Sequence, residues 1–196
     1  MKKRPSARTS SSGQSIVEFA LILPLLMLIV LGVVEFGYAL SDEHVVTRLS
    51  REGSNLISRD TSLQDAATAL TSMSSAPVDF TNGSKLIFSV VRKGATTGSA
   101  NENLLILYQR YEFGSYTGTS TVTTLGTGSF GGGPDYLAAN SDSDANLRVT
   151  NLPANLVLSR GGMIYITEIF TRHNRITPLD NFGVLVPQTL YSIAYF

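Results

Sequence analysis

The sequence predicts an α+β protein in which a long N-terminal helix crosses a membrane and continues as a stem, a short second helix follows, and an antiparallel sheet forms the head. Three observations predict it. Residues 16–34 read IVEFALILPLLMLIVLGVV, nineteen residues with a single charge. Beyond residue 85 lie four segments of strand length, rich in β-branched and aromatic residues. Only 15% of the 196 residues are charged and mean hydropathy is +0.12, against about 25% charged residues in an ordinary soluble domain.

The first element divides at Gly13. Lys2, Lys3, Arg4 and Arg8 precede it with no acid among them, so the remaining chain carries eleven bases against fifteen acids. At about 1.5 Å rise per residue, the apolar run spans roughly 28 Å as a helix, close to a hydrocarbon core of about 30 Å. The run is too long for a secretory h-region, and no A-x-A site follows it. The small residue suited to cleavage, Gly13, lies between the basic stretch and the apolar one, so cutting there removes a leader (1–13) and keeps the membrane helix (14–38). The basic residues place the N-terminus in the cytoplasm and everything after about Leu40 on the far side.

Glu18 stands out, because a carboxylate at mid-helix costs about 2.5–3.5 kcal/mol on insertion scales. It lies near the start of the run, where it also favours the positive end of the helix dipole and reaches the interface. Cleavage after Gly13 would give Gln14 a free α-amino group and make Glu18 the fifth mature residue, so the carboxylate and a neighbouring subunit's amine could pair at one depth. Pro24 removes a helical hydrogen bond and favours a kink, which membrane helices tolerate.

The string GQSIVEFALILPLL from Gly13 to Leu26, followed by Leu31, Gly32 and Glu35-Phe36-Gly37, resembles the TadE-like pseudopilins of tight-adherence (Tad/Flp) pilus systems. That family has a basic leader, a glycine cleavage position, and Glu and Phe at the fifth and sixth mature positions, which fall here on Glu18 and Phe19. The resemblance covers about the first forty residues and implies processing by a membrane-embedded prepilin peptidase. It also implies partnership with other pilins or pseudopilins and with inner-membrane pilus assembly proteins. Gln14 departs from the phenylalanine that type IVa pilins carry at the first mature position.

The stem and second helix occupy 39–76. Tyr38, Val45, Leu49 and Leu56 form one face of a helix continuing to about Leu56, with Gly53 weakening its last turns. A second helix is expected at Leu63–Met73, capped by Thr61 or Ser62, with Leu63, Ala66, Ala67 and Leu70 as its apolar side. The head (77–196) contains strands at 86–91, 104–113, 163–170 and 188–196. A Gly/Ser/Thr-rich loop occupies 114–146, with one short strand near Thr121–Leu125.

Motifs of chemistry are sparse. Gly126–Gly131 matches GxGxxG, but no helix signal follows to present amides to a pyrophosphate. Asp142, Asp144 and Asn146 have the oxygen spacing of a calcium loop, but the EF-hand glycine position holds Leu147. They are the weak metal candidates; otherwise no metal or cofactor is expected. His44 and His173 lack a second histidine at ligand spacing, and Glu112 and Glu168 read as outward-facing strand residues or salt-bridge partners. The absence of cysteine excludes thiolate chemistry and disulfides, and zero net charge argues against nucleic acid as a partner. The expectation is a non-enzymatic pilus assembly subunit in the bacterial inner membrane. The alternative is a single-pass anchored periplasmic binding or adhesion module, with a hydrolase a distant third.

Overall fold

The computed structural model describes residues 12–152, 156–183 and 187–196. The basic stretch read as a leader falls on residues 1–11, outside the described residues. The chain is α+β: α1 (Ser12–Ile57), α2 (Leu63–Met73), β1 (Ser84–Lys93), β2 (Leu105–Gly114), β3 (Met163–Arg172) and β4 (Thr189–Tyr195), with 3-10 turns at Ala145–Leu147 and Leu179–Phe182. These elements fall into two compact units, residues 1–38 with 175–186, and residues 39–174 with 187–196.

In the first unit α1 is continuous through Pro24. Its apolar side chains face outward all round: Ile16, Leu21 and Val33 are each at least 69% exposed. A helix apolar on every face is suited to lipid, and α1 is the one described helix long and apolar enough to cross a bilayer.

In the second unit the four strands form one antiparallel sheet in the order β2-β1-β3-β4. β1 and β3 are central. A bulge at Val90/Val91, where Val90 pairs with Gln109 and Val91 with Leu107, leaves Tyr108 as an extra residue on β2. Its ring lies 3.8 Å from the Arg92 guanidinium carbon.

Side chains alternate across the sheet, giving two faces that are both covered. Leu86, Phe88, Val90 and Ile169 pack with Val46 and Leu49 of α1 and with Leu63, Ala66 and Leu70 of α2. On the other face Val91, Leu107, Ile164 and Ile166 pack with Val122, and with Phe130 and Val149 from the long segment after β2. Burying each large side chain contributes about 1.5–3 kcal/mol. The expected strand near Thr121–Leu125 is reduced to an isolated bridge, Thr124 with Val149, because that segment is held chiefly by side chains.

α2 begins as the sequence indicates: Ser62 Oγ accepts the Asp65 amide at 3.1 Å. Of the expected stem face Leu49 is buried and Val45 and Leu56 pack half-buried against the core, so the expectation fails at Tyr38 alone. Tyr38 is 51% exposed, and the buried line runs through Val46, Leu49, Ser50, Gly53, Ser54 and Ile57. Small residues set this line, since they let the helix backbone approach the sheet. Ser50 and Ser192 hydroxyls lie 2.8 Å apart, and Ser54 Oγ donates to the Ala194 carbonyl at 2.9 Å. A Cβ at Gly53 would sit 2.7 Å from Thr167 Cγ2 and 2.9 Å from Leu70 Cδ1.

Gly53 is therefore a contact residue as well as a weak helix former. Gly53→Ala should lower the thermal midpoint of the full chain in detergent, although alanine gains about 1 kcal/mol of helix propensity over glycine. Gly53→Val should cost about 1–3 kcal/mol through overpacking. A rise in midpoint for Gly53→Ala would show that the neighbours yield freely.

Candidate functional site

The residues singled out for processing and assembly all lie on the first turns of α1. Among the described residues nothing lies within 4 Å of where a Cβ at Gly13 would stand. Gln14 and Glu18 are exposed one turn apart, and Gln14 Nε2 donates to Glu18 Oε1 at 3.0 Å. Phe19 is 60% exposed, and Pro24 is also exposed. Among the described residues Glu18 is thus bonded to a neutral amide one turn away, on a surface otherwise apolar.

A second carboxylate in the same unit behaves differently. Glu35, immediately after the apolar run, is only 2% exposed. Its Oε2 accepts the amides of Thr177 at 2.8 Å and Ile176 at 3.2 Å, and the Thr177 hydroxyl at 2.6 Å. Sequence reasoning quoted Glu35 without giving it a role. The available signal was an acid closing sixteen uncharged positions, where an unsatisfied carboxylate would be costly.

Residues 13–55 match the family model described as TadE-like protein. No curated protein matches the chain, and no solved structure does. The TadE-like segment lies within α1 and carries Gly13, Gln14, Glu18, Phe19, Pro24 and Glu35. The matched segment lies on a helix that by length and composition is able to cross a membrane.

Beyond the TadE-like segment, the head contains a buried polar cluster under residues 115–128. Glu168, on central strand β3, is fully buried rather than outward-facing. Its carboxylate accepts the Thr121 amide at 2.8 Å, the Thr121 hydroxyl at 2.7 Å, the Tyr191 hydroxyl at 2.9 Å, and the Ser120 hydroxyl. The outward reading fails because the segment after β2 covers the face that a single-layer sheet would leave wet. Glu112 does act as a salt-bridge partner, 2.7 Å from Lys85 Nζ, which also donates to the Gly118 carbonyl. Arg110 donates to the Val122 carbonyl at 3.1 Å. Desolvation lowers its pKa, opposed by the charges of Glu112 and Glu168. Glu168, Lys85 and Arg110 thus tether the segment from beneath, while Glu112 pairs with Lys85 from an exposed position.

The acidic turn is engaged in local structure. Asp142 Oδ2 accepts the Thr96 hydroxyl at 2.9 Å, and Asp144 Oδ1 accepts the Asn146 amide at 2.9 Å, capping the short 3-10 turn. Asn101 ties the turn down by donating to the carbonyls of Ser141 and Asp144. Among the described residues no group of three or more His, Cys, Asp or Glu is placed to hold a metal ion. The glycine-rich stretch packs on the same turn, with a Cβ at Gly128 falling 2.3 Å from Leu147 Cδ2. His44 is exposed. His173 is buried, its Nδ1 2.8 Å from Asp42 Oδ2.

Burial pushes the Tyr191 phenol well above its ordinary value, and it likewise raises Tyr111, Tyr165 and Tyr195. Unfolded phenols ionise near 10.0 while these hold their protons in the fold. The unfolded chain then binds fewer protons, and stability falls as pH rises above that value. Chemical denaturation from neutral to strongly alkaline pH should show this decline, with a shallower slope in Tyr191→Phe. Glu168→Ala strands at least one buried donor, costing about 1–3 kcal/mol, and should speed hydrogen exchange at the Thr121 amide. Unchanged exchange there would mean that the carboxylate does not hold the segment.

Proposed function

We propose that the protein is a non-enzymatic pseudopilin or minor pilin-like subunit of a Tad pilus assembly system. Its leader is removed by a prepilin peptidase between Gly13 and Gln14, and its head faces the periplasm. The observation that carries this reading is the TadE-like match over an apolar helix whose N-terminal turns expose Gly13, Gln14 and Glu18. Gly13, at the boundary between the basic stretch and the apolar run, is the small residue suited to such a cut. The four leading basic residues favour cytoplasmic retention of the N-terminus.

In this reading Glu18 exchanges its Gln14 amide partner for the mature α-amino group of a neighbouring subunit. A charged pair removed from water is worth more than an exposed amide contact, and breaking such a pair costs about 3–5 kcal/mol. Contribution to pilus biogenesis and surface adherence follows from assembly, with other pilins or pseudopilins, the peptidase and inner-membrane assembly proteins as partners. A chain anchored by the same helix but never incorporated in a fibre is the second reading, favoured by the all-round exposure of α1, which serves a tether equally well.

Mass spectrometry of the protein from cells with an active prepilin peptidase should find Gln14 at the mature N-terminus, and Gly13→Leu should retain the leader. An intact wild-type leader in such cells overturns the proposal. Glu18→Ala should still enter the membrane, since removing a charge eases insertion, yet fail to co-purify with its partner subunits. Normal co-purification and piliation at normal abundance would return Glu18 to a simple interfacial role.

A further inference from the structure

The buried state of Glu35 has a specific cause. Its helical neighbours Val33, Phe36 and Tyr38 are 69%, 67% and 51% exposed, so the helix does not bury it. The segment 175–177 does, through the two amides and the hydroxyl aimed at Oε2. That segment belongs to the same compact unit as the apolar part of α1. With the apolar run starting at Ile16, Glu35 lies roughly 28 Å further along the axis, at the edge of a hydrocarbon core of about 30 Å. Anything bonded to Glu35 lies at that edge too.

We propose that residues 175–183 form a second membrane-contacting element, a loop held in the interfacial zone of the bilayer at the C-terminal end of the α1 span, with Glu35 as its positioning residue. The inference rests on reading α1 as a membrane span.

The loop is chemically suited to that zone. Ile176, 55% exposed beside the clamp, offers an aliphatic side chain outward, while Leu179 is buried. The sequence RITPLDNFG mixes apolar and polar residues, a character that an interface of headgroups and acyl chains accommodates. Backbone amides near hydrocarbon need internal partners, and those of Ile176 and Thr177 find one in Glu35. Tyr38, exposed one turn further on, has the aromatic ring and hydroxyl favoured at headgroup level. A carboxylate that faced lipid would be costly; here the loop shields it, and the carboxylate in return fixes the loop's depth.

The chain contains no tryptophan, so one introduced residue reports its own surroundings. Full-length Ile176→Trp, Leu25→Trp and Val157→Trp proteins would be reconstituted separately into phosphatidylcholine–phosphatidylglycerol vesicles. Brominated lipids would carry the bromine near either the headgroup end or the tail end of the acyl chain. Val157, 90% exposed in the head, is the aqueous reference. Trp at 176 should emit to the blue of Trp at 157 and lose most of its fluorescence to bromine near the headgroup end, while Trp at 25 is quenched most by the deeper bromine. Adding Glu35→Ala to Ile176→Trp should reduce quenching toward that of Val157→Trp. If Trp at 176 is unquenched while Trp at 25 is quenched, the loop does not contact lipid and the proposal is overturned with the span intact. If neither is quenched, the span reading itself falls. Full quenching at 176 with Glu35→Ala would remove the positioning role.

Discussion

At Gly53 the backbone of α1 comes so near β3 that even a methyl group would press on Thr167 and Leu70. Much of the head follows from that closeness. Ser50 and Ser54, on the same line, reach Ser192 and the Ala194 carbonyl, so the stem half of α1 fastens the β3–β4 side of the sheet, while α2 packs into the same core beside it. Larger residues would hold helix and sheet farther apart, leaving those hydroxyls without protein partners in a dry layer. The small residues therefore supply proximity, and the hydroxyls convert proximity into directed bonds worth about 0.5–1.5 kcal/mol each.

Covering one face of the sheet leaves the other to be covered. β1 shows the consequence: Leu86 through Val91 are buried without alternation, as expected of a strand with a dry layer on both sides. The second layer comes from a segment poor in regular structure, which cannot satisfy its own backbone through a ladder. Polar side chains do so instead. Glu168 gathers the donors of Ser120, Thr121 and Tyr191, while Lys85 and Arg110 take carbonyls of Gly118 and Val122. Each of these three charges is hydrogen-bonded to the segment it holds, which limits the cost of taking it out of water.

The legible parts of this fold were those governed by local pattern. The four strands, α2 with its Ser62 cap, and the long apolar helix each follow from propensity and periodicity within a dozen or so residues. What escaped was set by partners distant in sequence. Glu168 reads as a surface residue until residues 120–121, more than forty positions earlier, are known to lie over it. Tyr38 looked like core because hydrophobicity, rather than the room left by Ser50, Gly53 and Ser54, defined the expected stripe. Glu35 acquires its partner 141 positions later. Asp142 and Asp144 serve turn geometry through bonds to the Thr96 hydroxyl and the Asn146 amide, the first a partner 46 positions away.

The two carboxylates flanking the apolar run separate two kinds of work. Glu35 is buried and accepts two amides and a hydroxyl from within its own chain. Glu18 is exposed, and the bond recorded for it runs to the flexible amide of Gln14 one turn away. An i,i+4 contact of that kind contributes about 0.2–0.5 kcal/mol, so surrendering it costs little, whereas a cation offered at the same depth by a neighbour would be a far stronger partner. A subunit built for assembly needs a group whose internal bond is weak enough to exchange. Under the proposed function Glu18 fits that description and Glu35 does not, which assigns association to the first turns of α1 and anchorage to its last apolar turn.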